Sequence, residues 1–249
     1  MNTDVSENNN NISHTYPPLT PGTLYLVSTP IGNMEDITLR AIRTLRECTL
    51  VAAEDTRHTG LLLNRLGFKK QLLSYHTFNE VQRQEEFISR LRNGEIIALV
   101  TDAGTPAISD PGQRITAAIL AAGFKVESVP GPCALIAALA ASGLPTDEFH
   151  FIGFLPHKSG QRKNALTRAL PIPGVLVLYE SPYRIDKLLN ELQELAPLRT
   201  IILAREITKK FEEWLRGTPQ ELLKKIKNRS LKGEFVILIA PEDFNTTNK

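Results

Sequence analysis

The loop 101–112 holds the densest set of residues able to do chemistry: Thr101-Asp102-Ala103-Gly104-Thr105-Pro106-Ala107-Ile108-Ser109-Asp110-Pro111-Gly112. Gly104 and Gly112 let backbone approach a ligand closely or adopt positive φ, and Pro106 and Pro111 stiffen the loop before binding, which lowers its ordering cost. The carboxylates of Asp102 and Asp110 can accept hydrogen bonds from ribose hydroxyls, an amine or a substrate. A rigid turn with two capping aspartates is the plainer alternative. Gly104 and Pro106 also suit a ligand without phosphates, held by backbone groups. Three further segments are dense in ionisable side chains: Glu54-Asp55-Thr56-Arg57-His58-Thr59, Glu180-Ser181-Pro182-Tyr183-Arg184 and Arg205-Glu206-Ile207-Thr208-Lys209. No G-x-G-x-x-G follows the first apolar run and no G-x-x-x-x-G-K-[ST] occurs, so a dinucleotide or triphosphate lacks its usual cradle. The sequence has no H-E-x-x-H and no G-x-S-x-G, and histidines 14, 58, 76, 150 and 157 lack metal-ligand spacing, so no metal is expected.

These segments need elements to hold them. From Gly22 onward, short β-rich apolar runs (24–28, 50–53, 72–75, 96–100 and 125–129) alternate with helical-period segments (38–48, 56–66, 81–93 and 113–122). In the first of these, Leu39, Ile42 and Leu45 form a stripe with Arg40 and Arg43 outside. A βαβα rhythm implies a parallel sheet covered by helices, and ligands of such sheets bind beyond the carboxyl ends of the strands. The loops 28–33, 54–59 and 101–112 follow runs one, two and four. Pro130-Gly131-Pro132 ends the first set. A small apolar helix over 134–142 leads to a second set: runs 149–154, 175–179, 200–204 and 234–240, with helices over 159–169 and 183–195. Thr218-Pro219-Gln220-Glu221 is a helix start with a capping box. The reading is α/β with two domains, 22–130 and 134–241, a disordered polar tail over 1–21 and a short tail over 242–249.

With 249 residues, 42% of them hydrophobic, the chain can bury a core without disulfide or metal staples. Its 29 Lys and Arg against 27 Asp and Glu give +2, which excludes a uniformly basic nucleic-acid-coating protein and requires any such contact to be a local patch. Cys48 and Cys133 read as apolar packing residues rather than a redox pair. The start MNTDVSENNN has no signal-peptide character, and no apolar run could span a membrane, which points to the cytoplasm.

The loop Val100–Gly112 resembles the signature of the ribosomal small-subunit methyltransferase I family, which has a tetrapyrrole-methylase-like fold. Matching pieces occur in order: Gly22-Thr23-Leu24-Tyr25, Thr29-Pro30-Ile31-Gly32-Asn33, Ala53-Glu54-Asp55-Thr56-Arg57-His58-Thr59, Val129-Pro130-Gly131-Pro132-Cys133-Ala134, Gly153-Phe154-Leu155-Pro156, Tyr179-Glu180-Ser181, Ala204-Arg205-Glu206, Thr208-Lys209 and Lys232-Gly233-Glu234. The resemblance implies a parallel sheet in the N-domain, a mixed sheet in the C-domain and S-adenosylmethionine bound between them, usually in a homodimer. It implies methylation of a cytidine ribose 2′-oxygen in 16S ribosomal RNA near the decoding centre, within the small subunit. Carried over, the cofactor contacts are Pro30, Asp102, Ala103, Gly104, Pro106, Pro132, Cys133, Tyr179 and Ala204. Longer members carry a further small helical segment at the C-terminus, whereas this sequence ends at Lys249, so RNA contact through that segment is not expected.

For such a transfer the protein must orient a weak oxygen nucleophile and help remove its proton. Lys209 is the first candidate, as base or as stabiliser of the developing alkoxide, and Glu54 is the second. Arg57 and Arg184 fit phosphate clamps. Salt bridging at strand ends is the alternative for all of these. Between Glu148 and Glu180 there is no acid, while Lys158, Arg162, Lys163 and Arg168 occur, so Lys158, Arg162 and Lys163 are candidate RNA contacts on a mobile loop that opens a helix. Lys224, Lys225, Lys227, Arg229 and Lys232 form a second basic cluster. Phe211 and Trp214 can stack on a flipped base or pack in the core. A tetrapyrrole methylase of the same fold and a non-catalytic RNA-binding assembly factor stay open as alternatives.

Overall fold

A computed structural model describes residues 16–244. The N-domain is a five-stranded sheet of β1 (Thr23–Val27), β2 (Leu50–Ala53), β3 (Leu72–Ser74), β4 (Ile97–Val100) and β5 (Lys125–Val129), in the order β3-β2-β4-β1-β5. Every pairing is parallel, with Leu24 opposite Ile97 and Val51 opposite Leu72. Helices α1 (Leu39–Glu47), α2 (Thr56–Arg65), α3 (Glu80–Arg92) and α4 (Gln113–Ala121) alternate with these strands. Coverage on both faces explains why β2 and β4 are apolar at every position and wholly buried. Ala41, Leu45 and Leu63 close one face, while Phe87, Leu91, Ile115 and Ile119 close the other. Each of these leucine, isoleucine and phenylalanine side chains contributes about 1.5–3 kcal/mol on burial. Thr38 caps α1 by accepting from the Ala41 N–H at 3.1 Å. Cys48 sits in this core, and burial pushes its thiol up to about 11.

After Pro130-Gly131-Pro132 comes α5 (Ala134–Ser142), then β6 (Phe149–Phe154), α6 (Ser159–Ala169), β7 (Val175–Glu180), α7 (Ile185–Leu195), β8 (Ile201–Arg205), β9 (Glu213–Gly217), α8 (Pro219–Ile226) and β10 (Phe235–Ile239). The second sheet is mixed, ordered β6-β7-β10-β8-β9. Only the β6–β7 pairing is parallel, and β10 runs antiparallel between β7 and β8. α5 lays Leu135, Ala138 and Leu139 on one face against Val177, Ile202 and Val236. Leu166, Leu188, Leu192, Leu222 and Ile226 from α6, α7 and α8 close the other face. The capping box at Thr218 and Glu221 is present.

Two expectations change. The strand β9 was not foreseen. The polar tail expected over 1–21 lies outside the described residues for 1–15, but its last part is packed: Leu19 is buried in the core, and the Thr20 N–H donates to the Tyr25 hydroxyl at 2.9 Å. Of the expected tail over 242–249, residues 245–249 lie outside the described part.

Candidate active site at the domain junction

Three N-domain loops are tied together at the carboxyl ends of β1, β4 and β5. Thr29 and Gly104 exchange backbone hydrogen bonds at 2.9 and 3.0 Å. The Ser28 and Thr105 hydroxyls lie 3.0 Å apart, and Thr105 Oγ1 donates to the Pro132 carbonyl at 3.1 Å. Gly104 has φ +81°, and a Cβ there would stand 3.4 Å from Ile31 Cγ2. Beyond it, Ala107 and Ser109 hold φ of 70° and 62°, a strained conformation for residues with a Cβ. A buried carboxylate braces this loop from behind: Glu80 Oε1 accepts from the Gly112 N–H at 3.4 Å and from the Tyr75 hydroxyl at 3.0 Å.

The C-domain supplies the facing wall from the carboxyl ends of β7 and β8 and the start of β10. The antiparallel course of β10 sets Phe235 opposite both Glu180 and Arg205, which brings Gly233, Glu234 and Val236 to the same rim. Glu206 and Thr208 hold φ of 50° and 67°. The Asn33 N–H donates to Thr208 Oγ1 at 3.1 Å across the domains. Gly32 packs so tightly there that a Cβ would come within 2.5 Å of Lys209 Cγ.

Between the walls lies a cleft of about 360 Å³. Asp102, Ala103, Gly104, Cys133, Tyr179 and Ala204, all expected, line it, as does Lys209. Pro30, Pro106 and Pro132 are not in its wall; Pro106 is buried, and Pro132 supports the loop through its carbonyl. Ile31, Thr105, Ile108, Ser109, Asp110, Glu180, Ser181, Glu206, Glu234, Phe235 and Val236 also line the cleft without having been chosen as site residues. Asp110 was visible as a strand-end carboxylate. The β10 residues carried no local signal, because the reversal of that strand is what places them.

The cleft is acidic. Asp102, Asp110, Glu180, Glu206 and Glu234 face a single Lys209. Asp102 Oδ1 accepts from the Asp55 N–H at 3.1 Å. Burial pushes the Asp110 carboxyl up, and the charges of Glu54, Asp102 and Glu234 add to this, bringing it to about 7. Lys209 Nζ donates to Glu206 at 2.9 Å and to Glu234 at 2.7 Å. Burial alone would lower the ammonium, but the two carboxylates outweigh it and hold Lys209 above its ordinary value. Lys209 is therefore a fixed cation, and its expected role as a base is corrected; a role stabilising negative charge is compatible with this pairing. Glu54 lies outside the cleft wall, its carboxyl raised by burial and by Asp102. Glu180 is 1% exposed. Its Oε1 accepts from the Ser181 N–H at 2.7 Å and from Arg184 Nε at 2.6 Å, and its Oε2 has no partner among the described residues.

The expected RNA contacts divide. Arg162 is corrected: its side chain is 2% exposed and forks onto Glu191 at 2.6 and 2.7 Å. Lys163 pairs with Glu194. The acid-free stretch is thus neutralised in space by α7. Lys158 is exposed at the N-cap of α6, ahead of an ordered helix rather than on a mobile loop, and makes no ion pair among the described residues. Arg57 is exposed and clasps Asp55 at 2.7 Å, while Arg184 is mostly buried against Glu180 and the Leu155 carbonyl. Trp214 packs at the edge of the core with Arg216 over its ring, whereas Phe211 is exposed under Lys210. Among the described residues no helix is long and apolar enough to cross a membrane, and no group of His, Cys, Asp or Glu side chains is arranged to hold a metal ion.

A parallel sheet and a mixed sheet thus meet at a strand-end cleft without a phosphate cradle, the architecture of the tetrapyrrole-methylase family to which the sequence is matched. The chain matches the family described as Tetrapyrrole (Corrin/Porphyrin) Methylases over residues 23–223. It is 46% identical over 218 residues to the ribosomal RNA small subunit methyltransferase I of Halalkalibacterium halodurans, covering 88% of this chain and 75% of that one. It is 48% identical over 223 residues to the protein of that name from Xylella fastidiosa, covering 88% and 82%. Among solved structures, the uroporphyrin-III C-methyltransferase of Thermus thermophilus complexed with S-adenyl homocysteine superposes with a TM-score of 0.61 at 21% identity, covering 87% and 96%, a likeness of fold. The chain belongs to the ribosomal RNA small subunit methyltransferase I family.

Proposed function

We propose that the protein methylates the ribose 2′-oxygen of a cytidine in 16S ribosomal RNA near the decoding centre, with S-adenosylmethionine as methyl donor. The observation that carries the reading is the charge of the cleft. Five carboxylates against one lysine repel phosphate-bearing cofactors and favour a ligand with a sulfonium and an ammonium. The Gly104 loop, with positive φ and Ile31 packed on it, offers backbone groups to such a ligand. The residues present therefore fit S-adenosylmethionine, held by Asp102, Ala103, Gly104, Cys133, Tyr179 and Ala204, which supplies an electrophilic methyl group.

The protein's part is position and electrostatics. Cross-ties among the loops at Thr29, Gly104, Thr105 and Pro132 fix the donor side. The Asn33–Thr208 contact fixes the distance between the walls. Lys209, held charged in the cleft wall, can stabilise negative charge developing on the nucleophilic oxygen. Because the cleft is acidic, RNA phosphates are kept out of it, and Lys158, exposed at the N-cap of α6 and without an ion pair among the described residues, is offered as a phosphate contact. The substrate is the RNA within the small subunit and the working form a cytoplasmic homodimer, both supported by the family resemblance. The tetrapyrrole reading rests on the broad family description and on solved structures at 24% identity or less, against 46–48% for relatives named for ribosomal RNA.

Transfer of tritiated methyl to undermethylated 30S particles, followed by mapping of the alkali-resistant linkage, tests the reading. A label on a base rather than a ribose overturns it. No binding of S-adenosylmethionine at millimolar concentration in calorimetry favours a non-catalytic RNA-binding factor.

A further inference from the structure

Each cleft carboxylate can be asked what already occupies it. Asp102 Oδ1 is taken by the Asp55 N–H. Glu206 and Glu234 share Lys209. Glu180 is wedged between Ser181 and Arg184, almost without exposure. Asp110 alone among them makes no hydrogen bond and no ion pair with the described residues, and it is only partly buried, so a substrate can reach it. It stands one residue past Ser109, on a loop that turns back through the Ala107 N–H to the Pro111 carbonyl at 3.2 Å and is strained at both 107 and 109. Strain of this kind persists where surrounding structure over-determines it, here the Glu80 brace and the Gly104 cross-ties.

We infer that Asp110 is the catalytic residue that accepts the proton of the nucleophilic hydroxyl, an assignment that rests on the ribose methylation proposed above. The ribose oxygen forms its bond to the methyl carbon as the carbon–sulfur bond breaks and its electron pair stays on sulfur. The hydroxyl proton passes to a carboxylate oxygen of Asp110. Lys209 cannot take it, because two carboxylates hold it as an ammonium. The groups facing Asp110 are Glu54 and Asp102 from the N-domain and Tyr179, Glu180, Glu206, Lys209 and Glu234 from the C-domain. Burial first, and then the charges of Glu54, Asp102 and Glu234, raise the Asp110 carboxyl to about 7, where a carboxylate is a far better proton acceptor than an ordinary aspartate and is still half ionised.

The test compares the full-length chain with Asp110→Asn and Asp110→Glu. In calorimetry Asp110→Asn, which removes one of the five cleft carboxylate charges, binds S-adenosylmethionine more weakly than the parent but still saturates, and at saturating S-adenosylmethionine single-turnover methyl transfer to undermethylated 30S particles falls by about 10²–10⁴-fold. The parent rate rises with pH with its midpoint near 7 and levels off above about 8, a rise absent from Asp110→Asn and displaced in Asp110→Glu. Independently of activity, carbon-13 NMR of labelled aspartate carboxyls in the cofactor-free protein shows one resonance titrating near 7 that disappears in Asp110→Asn. Undiminished transfer by a well-folded Asp110→Asn, or an Asp110 carboxyl titrating below about 5, overturns the assignment and leaves the methyltransferase reading intact. A parent chain that binds S-adenosylmethionine but methylates no ribose of small-subunit RNA overturns both.

Discussion

Thr29 and Gly104 face each other across two loops and exchange both of their backbone hydrogen bonds, at 2.9 and 3.0 Å. This single isolated bridge joins the carboxyl end of β1 to that of β4 and fixes the floor of the cleft. The bridge needs Gly104 at φ +81°, where a side chain costs about 1–2 kcal/mol. Gly104→Ala is therefore expected to weaken S-adenosylmethionine binding roughly 5- to 30-fold, read by calorimetry. Unchanged affinity would show that the loop conformation does not matter to the ligand.

Arg162 and Glu191 form a buried fork, so Arg162→Ala strands a carboxylate in the core. The expected loss is about 3–5 kcal/mol in urea denaturation. A loss below about 1 kcal/mol would mean that the pair is solvated after all.

Lys158→Ala leaves stability unchanged and weakens binding to small-subunit RNA. Removing one phosphate contact lowers the slope of log affinity against log salt by about 0.7–0.9. An unaltered slope places the RNA elsewhere.

Asp110 links function to stability. Its carboxyl binds a proton more tightly folded, at about 7, than unfolded, near 3.8. The folded state thus carries more protons between these values, and stability falls as pH rises through this window. Asp110→Asn removes the dependence and is expected to be more stable than the parent at pH 8 by roughly 2–4 kcal/mol. Denaturant melts at pH 4 and pH 8 measure this; a mutant whose pH dependence matches the parent's contradicts it.

The capping box of α8 gives a local control. Thr218→Ala removes the acceptor for the Glu221 N–H and costs about 1 kcal/mol, read as a shift in the melting midpoint without change in cofactor affinity.

Most of the fold could be read from residues, because parallel strands buried on both faces are apolar runs and their helices carry clear stripes. β9 could not. Glu213-Trp214-Leu215-Arg216-Gly217 lies at the sheet edge, partly exposed and mixed in polarity, so neither an apolar run nor a clean alternation marks it. Leu19 was lost in a polar tail whose end is pinned by Tyr25. At the site, the Gly104 loop was legible because proline and glycine spacing is local chemistry. Arg162 misled because the acid that neutralises it, Glu191, lies a helix away in sequence. Phe235 and Val236 carried no signal because only the reversal of β10 turns a strand beginning into part of a rim of strand ends, whereas Glu234 was visible only within the Lys232-Gly233-Glu234 match.

That reversal also governs when the cleft can be complete. β10 is the middle strand of its sheet yet the last of the described strands to be synthesised, so β7 and β8 have no partner between them until residue 239 has left the translating ribosome. The N-domain can assemble early, but Gly233, Glu234, Phe235 and Val236 join the cleft only with β10. A nascent chain therefore lacks this part of the cleft until β10 has been made.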